Sequence, residues 1–145
     1  MITSDAGLNK LCIREGKKNK AYKDTKGIWT IGVGHTGPEV HEGLEWTDQQ
    51  VLDAFRVNVK KCEKAIEDNV HVPLKQNQYD ALVSFIFNIG VYAFSMSTAC
   101  KLLNERCYDL VPMAMLMWNK PPEILGRRQS EAEQFENGPD RKSVV

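Results

Sequence analysis

Apolar positions along this chain recur with more than one period, and each period predicts an element. Leu8, Leu11 and Cys12 fall at helical spacing, which predicts a short helix over residues 3 to 15 with Thr3 or Ser4 as its cap and Asp5 in its first turn. Gly16 stops it. From Ala21 to His35 the character changes: Tyr22, Ile28, Trp29, Thr30, Ile31 and Val33 are strand formers, and Asp24-Thr-Lys-Gly27 supplies turn chemistry. A small hairpin or meander is expected there. Gly37-Pro38 breaks the pattern, and a polar connector leads to Thr47-Asp-Gln-Gln50, which has the spacing of a capping box. The helix it opens carries Val51, Phe55, Val59, Cys62 and Ile66 on one side and Asp53, Lys60, Lys61, Glu63, Lys64 and Glu67 on the other. At roughly 20 residues it would reach about 30 Å.

Beyond Val72-Pro73, the segment Gln76 to Asn88 is apolar on more than one side, so it belongs at the centre of a core. Gly90 is expected to be its left-handed cap. Shorter helices follow near 97 to 104, 108 to 118 and 124 to 136, and the tail, Asn137-Gly-Pro-Asp with Arg141 to Val145, is expected to fray. The layout is α+β and mostly helical, with a β-containing part over about 14–46 joined through a long helix to a helical part over about 70–137 plus the N-terminal helix. A cleft between the two parts is the expected ligand site.

Composition narrows the class. The 145 residues carry 19 Lys plus Arg against 19 Asp plus Glu, so whole-molecule attraction to nucleic acid or an anionic membrane is not indicated. No apolar run approaches the roughly 18 to 20 residues of a spanning helix. The longest, Ala81 to Ile89, is interrupted by Ser84 and Asn88, and the N-terminus has neither the basic nor the apolar region of a secretory signal. A soluble chain that begins in a cytoplasm is expected. Cys12, Cys62, Cys100 and Cys107 form no C-x-x-C pair, and with His35, His41 and His71 they make no zinc pattern. They read as buried thiols.

Several constellations could carry chemistry. Gly32-Val-Gly34-His-Thr-Gly37 spells G-x-G-x-x-G after a strand, yet Pro38 and a polar connector follow where a dinucleotide site needs a helix. Those glycines read as tight turns and close approaches. Glu15 at a helix end, Asp24 on the hairpin turn and Thr30 on the returning strand bring two carboxylates and a hydroxyl to one space, as hydrolysis of a glycosidic bond requires. Glu15 beside Cys12, Ile13 and Gly16 is placed for desolvation and the acid role, whereas Asp24 lies among Lys23, Thr25 and Lys26. On the residues alone, the ordinary reading of two surface carboxylates among many charges prevails. Arg14, Lys17, Lys18, Lys20, Lys23 and Lys26 read as a solvated face, better suited to an anionic wall polymer than to nucleic acid.

The run Glu15-Gly-Lys-Lys-Asn-Lys-Ala-Tyr22-Lys-Asp24-Thr-Lys-Gly27-Ile-Trp-Thr30-Ile-Gly32-Val-Gly34-His35-Thr36 resembles the signature of phage-type lysozymes, the endolysins of glycoside hydrolase family twenty-four. The spacing of Glu, eight residues, Asp, five residues, Thr matches that family's catalytic triad. The resemblance continues through Pro73 to Gly90, Ala93-Phe94, Ser97-Thr98, Leu102 to Asn104, Trp118-Asn-Lys, and Ile124-Leu-Gly-Arg127-Arg128 with Glu131 and Phe135. It reverses the ordinary reading of Glu15 and Asp24.

The resemblance implies a monomeric muramidase of lysozyme-like fold that hydrolyses the β-1,4 bond between N-acetylmuramic acid and N-acetylglucosamine, with no metal or organic cofactor. It implies inversion, with Glu15 as acid and Asp24 and Thr30 positioning water, and it makes Tyr22, Gly34 and His35 the candidate substrate-binding residues. His35 also reads as a structural hydrogen-bonding group. A late arginine, Arg127 or Arg128, is expected near Glu15, although Arg-Arg-Gln-Ser here is shorter than many relatives' arginine runs. The chain resembles the soluble endolysins that accumulate in the host cytoplasm and reach the periplasm after a separate holin permeabilises the membrane. Two rivals are a glycan-binding module without turnover and a lytic transglycosylase, which would release 1,6-anhydro sugars.

Overall fold

The computed structural model describes residues 1–137; the tail expected to fray lies, beyond Asn137, outside the described residues. Seven α-helices and three short strands are present among these residues: α1 Asp5–Glu15, β1 Lys18–Lys23, β2 Trp29–Gly32, β3 His35–Thr36, α2 Asp48–Asn69, α3 Gln76–Ile89, α4 Val91–Ser95, α5 Thr98–Asn104, α6 Val111–Leu116 and α7 Leu125–Asn137. Single 3-10 turns, Tyr108–Leu110 and Pro122–Ile124, lead into α6 and α7. The mostly helical α+β class is as expected. The chain divides into two compact units, one of Asn9–Lys60 and one of Met1–Leu8 with the chain from Lys61 onward.

The unit of Asn9–Lys60 is built around a three-stranded antiparallel sheet in the order β1-β2-β3. Its register pairs Tyr22 with Thr30, Lys23 with Trp29, Thr30 with Thr36 and Ile31 with His35. Strand β1 begins at Lys18, earlier than the expected Ala21, because residues 44–46 offer it a second set of partners. Trp46 N donates to Asn19 O and Ala21 N to Leu44 O, at 2.8 and 2.9 Å. Leu11, Ile31, Val33, Val40, Val51, Phe55 and Val59 are its buried apolar residues. The capping box forms as the sequence indicates: Gln50 N donates to Thr47 Oγ1 at 3.1 Å and Thr47 N to Gln50 Oε1 at 2.8 Å. Helix α2 then runs 22 residues, and its whole expected apolar stripe, from Val51 to Ile66, is buried.

In the unit that begins again at Lys61, α3 is the central element, buried without a break from Tyr79 to Ile86. Helix α7 packs on α3 and α6, and α6 on α5. Phe94, Leu103, Val111, Met115 and Phe135 are buried apolar residues of this unit. Ser4 caps α1, accepting from Gly7 N at 3.0 Å, which resolves the choice between Thr3 and Ser4. Thr3 instead donates its N–H and hydroxyl to Glu63 Oε2, both at 2.7 Å.

Gly90 departs from expectation. Its φ of 98° is positive but its ψ of 155° is extended, so it is not a left-handed α cap. The chain re-enters a helix at once, α4, which the spacing did not predict; Gly90 ends α3 and starts α4 in one residue, a backbone state open essentially to glycine alone.

Candidate active site

Glu15 is the last residue of α1 because Gly16 takes φ +74° while its N–H still bonds Cys12 O at 2.8 Å. That glycine conformation ends the helix and leaves the half-buried Glu15 at its terminus. Of the neighbours invoked to desolvate it, only Cys12 is withdrawn from solvent, and burial pushes its thiol up from the ordinary range. Ile13 is 81% exposed, pointing away because residues two apart on a helix do not share a face.

Asp24 follows β1 and is held by the turn it makes. Its Oδ1 accepts from the backbone N–H groups of Lys26 and Ile28 at 2.8 and 2.9 Å. The main chain closes the same turn through Asp24 N to Ile28 O and Gly27 N to Asp24 O, each 2.9 Å, with Gly27 at φ +79°. One carboxylate oxygen is therefore spent on geometry, and Oδ2 takes no part in those turn bonds.

Thr30 lies on β2 directly across from Tyr22 and is buried. Its hydroxyl donates to Ile28 O at 2.9 Å, so the oxygen offers lone pairs to anything that approaches. The alternation is visible on the other face, where the next pair, Lys23 and Trp29, meet with the ammonium 5.4 Å from the ring centroid. Tyr22 is half-buried, and its phenol is pushed up from its ordinary value by burial and then by the charges of Glu15 and Asp24. Both carboxylates thus act on one hydroxyl, on the sheet face that also carries Thr30.

His35 is braced on both ring nitrogens. Asn58 Nδ2 contacts its Nδ1 at 2.9 Å and Glu39 Oε1 its Nε2 at 2.6 Å. An amide NH₂ only donates, so Nδ1 accepts and the ring proton sits on Nε2, facing the carboxylate. Trp46 packs 5.3 Å from the ring, tilted by 40°. Gly34, at φ +64°, makes the tight turn between β2 and β3. Gly32 is a close approach as well: a Cβ there would lie 3.2 Å from Trp46. Asn58, Glu39 and Trp46 were not anticipated. Asn58 is three residues beyond Phe55, at the edge of the buried stripe of α2, and that position was its only signal.

The basic face is mostly solvated. Lys17 pairs with Asp48 at 2.7 Å, and with Asn19 it holds the Asp48 carboxyl below the usual range; Lys20 pairs with Glu45 at 3.2 Å. Arg127 and Arg128 lie in the unit beginning again at Lys61, where Arg127 Nε bonds Glu131 Oε2 at 3.0 Å and Arg128 Nε bonds Trp118 O at 2.8 Å. None of the four cysteines is in a disulfide; Cys62 and Cys100 are buried as expected, but Cys12 and Cys107 are only half-buried, which corrects the reading of all four as buried. Among the described residues, no three His, Cys, Asp or Glu side chains group to hold a metal, and no helix is long and apolar enough to cross a membrane.

Known proteins resemble this chain in sequence and in fold. The sequence profile of the phage lysozyme family matches residues 13–131. The endolysin of Salmonella phage P22 is 42% identical over 143 residues, covering 93% of this chain and 98% of the relative. Among solved structures, the endolysin from Escherichia coli O157:H7 phage FAHEc1 superposes with a TM-score of 0.85 at 33% identity, covering 93% of each chain. The muramidase domain of SpmX from Asticaccaulis excentricus gives 0.81 at 34% identity, over 91% of this chain and 95% of that one. Family and fold define a glycosidase of the lysozyme class, a peptidoglycan hydrolase. The chain belongs to the phage lysozyme family.

Proposed function

We propose that this protein is an endolysin that hydrolyses the β-1,4 bond between N-acetylmuramic acid and N-acetylglucosamine, with Glu15 as general acid and Asp24 and Thr30 positioning the attacking water. The observation that carries the reading is the hairpin geometry around Asp24 and Thr30. Asp24 spends Oδ1 on two backbone N–H groups, and Thr30 spends its proton on Ile28 O. A water between Asp24 Oδ2 and Thr30 Oγ1 would donate one proton to each and aim a lone pair at the sugar.

In this mechanism Glu15 gives its proton to the glycosidic oxygen as the bond to the anomeric carbon breaks. The water oxygen attacks that carbon from the opposite face, and Asp24 takes the water's proton. The product is a reducing sugar of inverted configuration. Such a single displacement calls for carboxylates about 6.5–9.5 Å apart, against about 5–5.5 Å for a retaining pair. Glu15 recovers its proton from solvent and Asp24 returns one.

The biological setting follows from the same reading: a monomer made in the host cytoplasm that reaches the periplasmic wall once a separate holin opens the membrane, for lysis and phage release. Support comes from its similarity to endolysins over most of its length. Mass spectrometry of fragments released from purified Gram-negative peptidoglycan tests the chemistry. Reducing muropeptides from wild type and none from Glu15→Gln are expected. Equal release by Glu15→Gln would refute the acid assignment, and 1,6-anhydro products would make the enzyme a lytic transglycosylase.

A further inference from the structure

The unit that begins again at Lys61 contains none of Glu15, Asp24 and Thr30, yet it forms a cavity of about 580 Å³, the size of a small-ligand site. Its walls come from the start of α3, the 3-10 turn ahead of α6, and the end of α7. Leu74, Pro112 and Phe135 give it apolar surface. Two of its polar groups are already oriented by the protein. Gln78 Oε1 accepts from Lys75 N at 2.8 Å, which leaves the amide NH₂ as a donor. Tyr108 donates to Pro73 O at 2.7 Å, which leaves the phenol oxygen as an acceptor.

The charges of the cavity are Lys75, Asp109 and Glu136. All three are exposed, and none forms an ion pair with another or with any described residue. Local stability does not account for two of them. Lys75 is the N-cap of α3, where the helix dipole favours an anion, and Glu136 lies in the last turn of α7, where it favours a cation. Each has the wrong sign for its helix end. Both signs are therefore held open around one apolar surface, which suits a ligand that carries an ammonium and a carboxylate together at the end of an aliphatic chain.

From this juxtaposition we infer that the cavity binds the free amino-acid end of a diamino-diacid in the stem peptide of the wall. Lys75 and the Gln78 amide meet its carboxylate, Asp109 and Glu136 its ammonium, and Phe135 and Pro112 its methylenes. The inference rests on the reading of the wall as substrate and adds to it a site for the peptide rather than the glycan. A stem peptide built on lysine has the ammonium there without the carboxylate, so the cavity would distinguish two wall chemistries.

Calorimetry and NMR titration of the wild-type protein with the tetrapeptide L-Ala-γ-D-Glu-meso-diaminopimelyl-D-Ala, beside its lysine counterpart, test the site without turnover. Saturable binding in the millimolar range is expected, with the Gln78 side-chain NH₂ signals moving. One exposed charge contact predicts affinity weaker by about 3- to 5-fold for the lysine peptide, and equally for Lys75→Gln with the first peptide. Lys75→Gln should no longer distinguish the two peptides, and thermal stability should not fall in Lys75→Gln or Glu136→Gln. No saturable binding by about 10 mM, equal wild-type affinity for both peptides, or full discrimination kept by Lys75→Gln would each overturn the inference. Free diaminopimelate bound as tightly as the tetrapeptide would overturn the peptide assignment. Muropeptide release reads the enzyme separately: release without tetrapeptide binding removes only this site, and binding without release removes the wall-cutting reading and leaves the site.

Discussion

Replacing Arg128 by methionine puts a number on the buried charge cluster that joins α3 to α7. Arg128 is 1% exposed and Glu131 not at all. The guanidinium bonds Glu131 Oε1, Asn88 Oδ1 and Trp118 O, and its carbon lies 5.0 Å from the centroid of Phe85. Methionine fills much of the aliphatic volume but leaves the Glu131 carboxylate in the core without the Arg128 guanidinium on Oε1, while Arg127 and Ser84 still bond Oε2. Breaking one side of a buried pair costs about 3–5 kcal/mol, most of it from the charge left behind. For a chain of this size, that is a fall in Tm of about 6–20 °C. The same reasoning says that Glu131→Leu added to Arg128→Met recovers part of the loss, because the stranded charge goes with it. Urea unfolding of the wild type, both single variants and the double variant closes the cycle, with a coupling energy of about 1.5–3 kcal/mol expected. A loss under about 1 kcal/mol for Arg128→Met, or a double variant equal to the sum of the singles, would refute the reasoning.

Three other outcomes are expected. Asp24→Asn keeps an Oδ1 for both turn N–H groups, so its stability should stay within about 1 kcal/mol of wild type while wall-clearing activity falls at least about 100-fold; activity near wild type would remove Asp24 from the chemistry. Tyr79 has a phenol raised above its ordinary 10.0 by burial and by the charges of Glu63, Asp80, Glu67 and Cys62. Its contribution to stability is therefore complete below about pH 10, where the unfolded phenol also keeps its proton, and is lost as pH rises beyond that through the folded value. Urea midpoints between about pH 9 and pH 11 should fall less steeply in Tyr79→Phe than in wild type, and parallel curves would contradict the linkage. Gly90→Ala meets no atom within 4 Å, so its cost should be backbone strain alone, about 1–3 kcal/mol by thermal unfolding, and a neutral result would mean that α3 and α4 relax around it.

What the sequence determined by itself is whatever depends on residues a few positions apart. The Thr47 to Gln50 box spans one helical turn, Gly16 ends α1 with its own φ, and Asp24 reaches backbone donors two and four residues away. The spacing of Glu15, Asp24 and Thr30 was legible for the same reason: a helix end, a turn and a returning strand lie within 16 residues. Tertiary structure decided the rest, because the partners are far apart along the chain. Lys18 to Lys20 became strand only where residues 44–46 offered backbone partners. His35 gained Asn58 at a separation of 23 residues, and Arg128 gained Asn88 at 40. A polar residue carries no mark of such a partner in its own neighbourhood: nothing within a few residues of Arg128 and Glu131 dictates that they be buried, and their burial is settled only by the packing of α7 on α3.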